Sequence, residues 1–396
     1  MQPVAITAYS ALSACGAGNA ALYQSLAQNQ SALAPLALFT VPFTAYVGEI
    51  KQPLAAICPE LAAYDSRNSR VALAALNNAQ DGVRVAIEAA KRQYGADRIG
   101  VVIGTSTSGL YETEAAYAEL LQTDKMPDDF DFVKQHAYQA TARFIQLELG
   151  LTGPCFAIST ACSSGAKAIA SGQRLIANDI CDAVIVGGVD TLCRLTLRGF
   201  RSLDLVSENP CTPMDVNRQG ISIGEAAALL VLEKNTAANA GAMQVLAVGE
   251  SSDAHHMSTP HPDGMGAALA MQNALQLADL SADQIDYLNL HATATKINDR
   301  VESKAVCRVF ADKLPCSGTK GVTGHTLGAA GALETIIALQ VLQHQFLPGT
   351  VGLQVPDADC RCQILKTPVM QQNNIKVAMS NSFGFGGNNA SVIVSL

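Results

Sequence analysis

Long apolar runs alternate with helical patterns along most of the chain. Three of these runs consist almost entirely of aliphatic residues and glycine, at residues 99–104, 183–188 and 226–232. Such runs are typical of strands in a sheet that is covered on both faces. The second half repeats the alternation, with predicted strands at residues 245–248, 286–291, 375–381 and 390–396, helices at residues 267–277 and 299–310, and an elbow and long helix at residues 320–343. The pattern predicts an α/β protein.

The first half also contains segments with a weaker pattern. Its other predicted elements are a strand at residues 4–9, a turn at Gly16 and Gly18, a helix at residues 20–27, surface loops over residues 29–61, one alanine-rich helix over residues 69–88 and a helix-rich segment at residues 112–149. These predictions follow from the period of the apolar positions and from the placement of glycine and proline.

Residues 156–176 contain the first candidate for chemistry. A short apolar strand leads through a tight turn into a helix that is predicted to begin at about Cys162. The helix carries small residues on every side, which indicates burial, and Gly165 and Gly172 predict the close approach of another backbone. Unpaired N–H groups and the helix dipole would lower the pKa of a cysteine there and favour the nucleophilic thiolate. The alternative is that Cys162 is a small buried apolar residue.

A short internal repeat links this helix to a second one. Residues 161–166 align with residues 324–329, so that Cys162 and His325 are each followed three positions later by glycine and then by an alanine-rich helix. The match predicts two copies of one α/β unit whose central helices face each other. Cys162 and His325 would then lie in one site.

Composition argues against several classes of protein. Of the 396 residues, 49% are hydrophobic and 15% are charged, which is typical of a large interior or interface. The formal net charge of −8, with no basic run, argues against nucleic-acid binding. We expect no membrane span and no secretory signal. Eleven cysteines without a Cys-x-x-Cys pair predict free thiols and a cytoplasmic location.

Two histidines occupy positions that suit catalysis. His291 ends a predicted strand, where the functional groups of α/β proteins collect. His325 opens a helix and follows Lys320 by five positions. Neutral imidazoles can donate hydrogen bonds to an enolate or oxyanion, and a nearby lysine supplies a fixed charge. The pair His255 and His256 lacks a matching carboxylate or thiolate pattern, so no metal site is predicted.

Residues 382–389 form a glycine-rich loop, Ser-Phe-Gly-Phe-Gly-Gly-Asn-Asn. Glycine supplies conformational freedom and leaves backbone N–H groups accessible, which would suit a phosphate loop. The two phenylalanines, Phe383 and Phe385, instead favour a gate or a backbone oxyanion donor.

Four motifs, in order along nearly the whole chain, resemble those of the thiolase-superfamily condensing enzymes. The resemblance is specifically to the β-ketoacyl-acyl carrier protein synthases that use one cysteine and two histidines. The matching segments are the nucleophile motif at residues 159–165, the first histidine motif at residues 291–302, the lysine and second histidine motif at residues 320–331 with Glu334 behind it, and the gate loop at residues 381–389.

The resemblance implies a thiolase-like fold, with two duplicated α/β halves in a five-layer αβαβα sandwich. Residues 1–240 would form the half that carries the nucleophile, and residues 241–396 the half that carries the histidines, the lysine and the gate loop. The implied reaction is the decarboxylative Claisen condensation of an acyl group on Cys162 with malonyl-acyl carrier protein. No metal or organic cofactor is expected, because the phosphopantetheine arm of the carrier delivers both substrates.

The resemblance also assigns roles to individual residues. The catalytic residues would be Cys162, His291, His325 and Lys320, with Glu334, Asp299 and Glu302 in support. The backbone N–H groups of Cys162 and Phe385 would hold the oxyanion, and Phe383, Gly384 and Gly386 would complete the gate.

Three departures from the family pattern indicate a specialised branch. Ala292 and Ala294 stand where the family usually has glycine, residues 224–227 read Gly-Glu-Ala-Ala rather than Gly-Glu-Gly-Ala, and Lys167 stands where fatty-acid members often carry histidine. None of these changes removes a catalytic group. A polyketide or polyene pathway, for example aryl polyene synthesis, is therefore a hypothesis beside fatty-acid elongation.

Three related functions are alternatives. A thiolase would need a second catalytic cysteine near the carboxyl terminus, and residues 381–389 contain none. A priming synthase would carry asparagine at the position of His325. A chain-length-factor subunit, which does not condense, usually lacks the nucleophile that Cys162 supplies here.

Acyl carrier protein is the expected partner. Carrier proteins are acidic and this chain is net negative, so docking would need a local basic patch. The candidates are Arg67, Arg70, Arg198 and Arg201. The resemblance also implies a homodimer through the strand before Cys162, or a heterodimer with a related chain.

Overall fold

The computed structural model describes residues 2–371 and 374–396. The helices are α1 (Asn19–Ala27), α2 (Arg67–Leu76), α3 (Val83–Tyr94), α4 (Leu110–Thr123), α5 (Ala140–Glu148), α6 (Ser164–Ala177), α7 (Arg194–Ser202), α8 (Met265–Ala278), α9 (Lys296–Phe310), α10 (Lys320–Thr323) and α11 (Ala330–His344). The strands are β1 (Val4–Ser13), β2 (Gly16–Ala17), β3 (Ala34–Pro35), β4 (Tyr46–Val47), β5 (Ile99–Gly104), β6 (Cys155–Ile158), β7 (Ala183–Asp190), β8 (Ala226–Glu233), β9 (Gln244–Ser252), β10 (Tyr287–Asn289), β11 (Cys316–Ser317), β12 (Val377–Gly384) and β13 (Asn388–Ser395).

The two halves of the chain build the same sheet. The strand order is β6-β5-β7-β8-β1 in the first half and β11-β10-β12-β13-β9 in the second. If the five strands of each half are numbered 1 to 5 along the chain, this order is 3-2-4-5-1 in both halves. In both halves the first two pairings along this order are parallel and the last two are antiparallel. The predicted duplication is confirmed, and the boundary between residues 240 and 241 stays a prediction.

Five layers result from this duplication. Helices α6 and α11 lie between the half-sheets, in a core that includes residues from β7, β8 and β13. Helices α2, α3 and α5 cover the outer face of the first half-sheet, and α8 and α9 cover that of the second. A short pairing of Val4 and Ala5 with Val245 and Gln244 joins the half-sheets edge to edge. The structure therefore confirms the predicted five-layer αβαβα sandwich.

Two glycines allow the central helices to touch. A Cβ atom on Gly165 of α6 would stand 2.8 Å from the backbone nitrogen of Ala332 on α11, and one on Gly331 would stand 2.7 Å from the nitrogen of Ala166. The prediction for Gly165 is confirmed. The prediction for Gly172 is wrong, because a Cβ there would meet the side chain of Val186, 2.3 Å away, rather than a backbone.

Two helix predictions need correction. The helix predicted over residues 69–88 is two helices, α2 and α3, because residues 77–82 form a turn that ends at Gly82 in the left-handed conformation, with φ 74°. The helix predicted to begin at about Cys162 begins at Ser164. In residues 2–371 and 374–396, no helix is both long enough and apolar enough to cross a membrane.

Candidate active site

Cys162 lies in the turn between β6 and α6. The residue before it, Ala161, has a φ of 52°, which is a left-handed conformation that alanine rarely adopts. The turn is fixed by Ser164, whose Oγ accepts from the N–H of Thr160 at 2.8 Å and donates to the carbonyl of Ala161 at 2.6 Å. Only 6% of Cys162 is exposed. The strained turn places the thiol ahead of the helix instead of within it.

The thiol meets both predicted histidines. The ligand atoms of Cys162, His291 and His325 all lie within 4.8 Å of one another, and all three residues are buried. The two imidazole rings are nearly perpendicular, at 87°, with centroids 5.3 Å apart. The internal repeat therefore brings Cys162 and His325 together, as the sequence predicted.

Backbone and side-chain donors fix the tautomers of both imidazoles. The N–H of Leu327 donates to Nδ1 of His325 at 3.2 Å. The Nζ of Lys320 lies 3.3 Å from Nδ1 of His291 and donates to the carbonyl of His291 at 2.5 Å. Because Nδ1 is an acceptor in each ring, a neutral imidazole carries its proton on Nε2. His325 thus presents its Nε2–H to the thiol, 3.0 Å away, and His291 carries its donor proton on Nε2 in the same cluster.

Burial keeps these imidazoles neutral. It lowers the pKa of His291 and of His325 well below the usual range, and the ammonium of Lys320 acts in the same direction. Lys320 is fully buried and forms an ion pair with Glu334. Burial raises the pKa of Glu334 to about 7, although Lys320 opposes this rise. The site therefore presents two neutral imidazoles with the buried Lys320–Glu334 pair behind them.

The spacing of the three ligand atoms would also suit a metal ion. The ammonium of Lys320 next to His291 opposes such binding, because it places a fixed positive charge beside the site. The absence of a metal stays a prediction. Within the part of the chain that the structure describes, His255 and His256 belong to no cluster with metal-ligand spacing.

The predicted acidity of Cys162 is wrong. Burial raises the pKa of its thiol to about 12, while Lys320 and the backbone N–H groups of Phe385 and Cys162 act to lower it. The helix dipole and the N–H groups favour the thiolate, as expected, but the cost of burying its charge is larger. The resting nucleophile is the neutral thiol, so its proton must leave as the sulfur attacks.

Two carboxylates hold the loop that carries His291. Glu302 accepts from the N–H groups of His291 and Ala292, each at 2.7 Å, and Asp299 accepts from the N–H of Ala294 at 3.1 Å. Ala292 and Ala294 have φ values of 35° and 64°, in the left-handed region. The structure thus gives a physical reason for glycine at these positions in the family and places both supporting carboxylates beneath the loop.

The gate loop closes over the thiol from the other half of the chain. A Cβ on Gly384 would stand 2.8 Å from the carbonyl oxygen of Thr160, which leaves room only for glycine. The backbone N–H groups of Phe385 and Cys162 are both directed at Sγ of Cys162. The ring of Phe385 lies 5.6 Å from that of Phe200, measured between centroids. The two predicted oxyanion donors therefore converge on the sulfur.

A cavity of about 550 Å³ leads from the thiol to the surface. Along one wall the exposed fraction rises from 1% at His291 to 7% at Thr293 and 54% at Ile297. Residues of this cavity that sequence reasoning missed include Phe200, Thr293 and Thr295. The alternation of threonine with alanine after His291 was the available signal for the two threonines.

Asp190, which lies outside the cavity lining, was also missed by sequence reasoning. Its buried carboxylate accepts from the hydroxyl of Thr105 at 2.6 Å, from the N–H of Thr107 at 2.8 Å and from the N–H of Gly328 at 2.6 Å. It therefore ties the ends of β7 and β5 to the turn that follows His325. A carboxylate directly after a run of buried apolar residues was the signal for it.

The four candidate docking arginines differ in their surroundings. The charge of Arg67 is already engaged, because its side chain is 15% exposed and pairs at 2.7 Å with the fully buried Glu225, and its role in docking stays a prediction. Arg70 is paired with Asp65, and Arg201 is paired with Glu208. Arg198 is exposed and forms no ion pair within residues 2–371 and 374–396. Of the four, Arg198 has the freest charge.

Two family models match the chain. The model of the N-terminal domain of beta-ketoacyl synthases matches residues 1–238, and the model of the C-terminal domain matches residues 242–354. The chain is 34% identical over 314 residues to 3-oxoacyl-[acyl-carrier-protein] synthase 2 of Coxiella burnetii, covering 76% of each chain. It is 36% identical over 302 residues to nodulation protein E of Rhizobium meliloti, covering 74% of each.

Solved structures are similar over the whole length of the chain. A ketosynthase in complex with its chain length factor from Xenorhabdus doucetiae matches with a TM-score of 0.90 and 38% identity, over 100% of this chain and 98% of the other. A beta-ketoacyl synthase from Burkholderia phymatum matches with a TM-score of 0.88 and 28% identity, over 100% and 99%.

Proposed function

The chain belongs to the β-ketoacyl synthase family, and from this premise we propose that it condenses an acyl group held on Cys162 with malonyl-acyl carrier protein to give 3-oxoacyl-acyl carrier protein. The observation that carries this proposal is the convergence of one thiol, two imidazole Nε2–H donors and two backbone N–H groups in a buried site. A thiol is a nucleophile, and the four donors stabilise the two oxyanions that the reaction forms.

The first step would be acyl transfer. Sγ of Cys162 attacks the thioester carbonyl of the acyl carrier, and the N–H groups of Cys162 and Phe385 hold the tetrahedral oxyanion. The carbon–sulfur bond to the carrier then breaks, and the thiol proton of Cys162 passes to the departing carrier thiolate. Because the resting thiol is neutral, the products are an acyl-enzyme and a neutral carrier thiol.

The second step would be decarboxylation of the malonyl group. Its carboxylate leaves as carbon dioxide, and the electron pair of that bond forms an enolate at the carrier thioester. The Nε2–H groups of His291 and His325 donate to the enolate oxygen. Lys320 keeps Nδ1 of His291 an acceptor, which holds the donor proton on Nε2.

The third step would be condensation. The enolate carbon attacks the acyl thioester on Cys162, and the same two backbone N–H groups hold the second tetrahedral oxyanion. Its collapse breaks the bond to sulfur and releases the 3-oxoacyl carrier. The thiolate then takes a proton, which restores the neutral thiol.

For the pathway we propose a specialised branch of the family. The matched Xenorhabdus protein is a ketosynthase that forms a complex with a chain length factor, and the matched Coxiella protein is a 3-oxoacyl-[acyl-carrier-protein] synthase. The left-handed alanines at positions 292 and 294 support a specialised branch. Polyketide or polyene elongation, including aryl polyene synthesis, is the branch that we propose to test first.

We propose acyl carrier protein as the partner that delivers substrate, and a dimer through β6 as the assembly. In the described part of the chain β6 is an edge strand that pairs with β5 alone, and Phe156 on it is 37% exposed. Such an edge can pair with a second strand across a two-fold axis. The second chain would be a copy of this one or a related ketosynthase-like chain, and the location would be the cytoplasm.

None of the three alternative functions has support from the site. A priming synthase would carry asparagine at the position of His325. A chain length factor would lack the nucleophile, whereas Cys162 contacts His325 here. A thiolase would need a second cysteine, and Cys162 is the one cysteine among the cavity residues that the structure describes.

The proposal is tested by intact-mass spectrometry of the protein after incubation with a panel of acyl-carrier proteins. We expect a stable adduct whose mass equals one acyl group, mapped to the peptide that contains Cys162. An adduct on another residue, or none with any member of the panel, would refute the assignment.

A further inference from the structure

Lys167 is an unusual residue on the helix behind the nucleophile. Helix α6 carries only two charged residues, Lys167 and Arg174. The side chain of Lys167 is 15% exposed, and its Nζ donates to Oδ1 of Asn388 at 3.3 Å and lies 3.7 Å from Glu250. Placing a cation this deep costs free energy unless its contacts compensate. Glu250 is also paired with Arg174, so the contact that distinguishes Lys167 from Arg174 is its hydrogen bond to Asn388.

Asn388 lies at the end of the gate loop. Its Nδ2 is 3.5 Å from the point where a Cβ of Gly386 would stand, so the amide lies against the loop backbone. Gly386 and Gly387 have φ values of 78° and 77° and have no side chains to fix their path. The hydrogen bond from Lys167 therefore connects the nucleophile helix to the glycine pair of the gate.

The other tethers of this loop reach β9 and the segment after it, and they include the hydrogen bond from Nδ2 of Asn389 to Oγ of Ser251 at 3.3 Å. The N–H of Gly386 donates to the carbonyl of Met257 at 2.7 Å, and the carbonyl of Gly387 accepts from the N–H of Asp253 at 2.8 Å. Both tethers reach the segment after β9. Lys167 differs from them because it ties the loop to the helix that follows Cys162.

We propose that Lys167 is a positioning residue, which acts through Asn388 to keep the N–H of Phe385 directed at Sγ of Cys162. This inference rests on the proposed function, since that N–H serves acyl transfer. Loss of the contact loosens the oxyanion donor and leaves the thiol and the two histidines in place. Acyl transfer to Cys162 should therefore slow more than reactions of the thiol that form no oxyanion, in which this N–H acts only through the pKa of the thiol.

The test compares Lys167→Met with Arg174→Met, a matched control on the same helix that also loses a cation beside Glu250 but does not contact Asn388. Two rates are measured at Cys162: acylation by an acyl-carrier protein that the wild-type protein accepts, and alkylation by iodoacetamide, which needs no oxyanion donor. Complete loss of one such donor typically costs two to three orders of magnitude in rate. A loosened donor should lower the acylation rate of Lys167→Met about tenfold and the alkylation rate clearly less, because the N–H of Phe385 also lowers the pKa of the Cys162 thiol.

Arg174→Met should keep both rates, and Lys167→Arg should recover most of the acylation rate. Asn388→Leu removes the same hydrogen bond from the other side and should reproduce the split even if Lys167→Met does not fold. A parallel fall of acylation and alkylation, or no fall in acylation, would overturn the inference. Failure of the proposed function can be distinguished from failure of this inference. If the proposed function is wrong, the wild-type protein itself forms no acyl adduct, and the inference is then overturned too.

Discussion

The Nε2 atom of His325 lies 3.0 Å from Sγ of Cys162, although 163 positions separate the two residues. The N–H of Leu327 occupies Nδ1 of the same ring, so the proton of the neutral imidazole faces the sulfur. His325 is therefore placed to donate a hydrogen bond and not to remove the thiol proton. This distinction separates the role of His325 from that of the base in a cysteine–histidine protease pair.

Replacing His325 should separate the two half-reactions. His325→Ala should still accept an acyl group on Cys162, because the oxyanion of that step is held by backbone N–H groups. It should lose decarboxylation of malonyl-carrier protein by about two orders of magnitude or more, the usual cost of removing such a donor. Intact mass reports the first reaction and release of carbon dioxide the second. A variant that cannot be acylated but decarboxylates normally would refute this division.

The neutral resting thiol predicts a steep pH dependence of alkylation. Burial raises the pKa of Cys162 to about 12, so the thiolate fraction should rise about tenfold for each pH unit between pH 7 and 10. The rate of iodoacetamide alkylation, measured on the peptide that contains Cys162, should follow this fraction without a plateau. A plateau below pH 9 would show that the free enzyme holds a thiolate.

The left-handed alanine at position 294 should cost stability. Its φ of 64° strains any residue with a Cβ, and glycine would relieve that strain. Ala294→Gly should raise the free energy of unfolding by about 0.5–1 kcal/mol after the greater freedom of glycine in the unfolded chain is deducted. Ala305→Gly, in the middle of α9 and fully buried, is the control and should destabilise the fold by at least about 1 kcal/mol. Denaturant titration measures both changes, and destabilisation by both variants would contradict the strain argument.

Replacing Arg67 and replacing Arg198, two of the four candidate docking residues, should have different effects on stability and on docking. Arg67→Ala leaves the buried carboxylate of Glu225 without its partner and should destabilise the protein by about 3–5 kcal/mol. Arg198→Glu should leave stability unchanged and raise the KM for carrier-bound substrate, with a smaller effect on kcat and none on a small acyl thioester. If Arg198→Glu affects both substrates equally, Arg198 does not serve docking.

Much of the fold follows from local pattern. The buried runs that became β5, β7 and β8 have only one stable environment, a sheet covered on both faces. The small residues around Gly165 predicted the tight contact with α11 because few other surroundings tolerate a helix without large side chains. The aligned segments at Cys162 and His325 then placed the two residues in one site.

The remaining features depend on contacts that no local pattern specifies. The pKa of Cys162 depends on burial by both halves of the chain, and the tautomer of His325 depends on one backbone N–H. The partner of Arg67 lies 158 positions away, at Glu225. The turn at residues 77–82 follows an alanine-rich helix, so the sequence pattern predicted one continuous helix there. Such features are set by tertiary packing.

The central claim is most directly tested by condensation with labelled malonyl-carrier protein. The protein is first acylated on Cys162 and then mixed with malonyl-carrier protein that carries ¹³C in the two carbons retained after decarboxylation. We predict a 3-oxoacyl-carrier product that contains both labelled carbons, with release of one carbon dioxide per product, and no such product from Cys162→Ala. Release of carbon dioxide without the elongated product, or an elongated product from Cys162→Ala, would contradict the account.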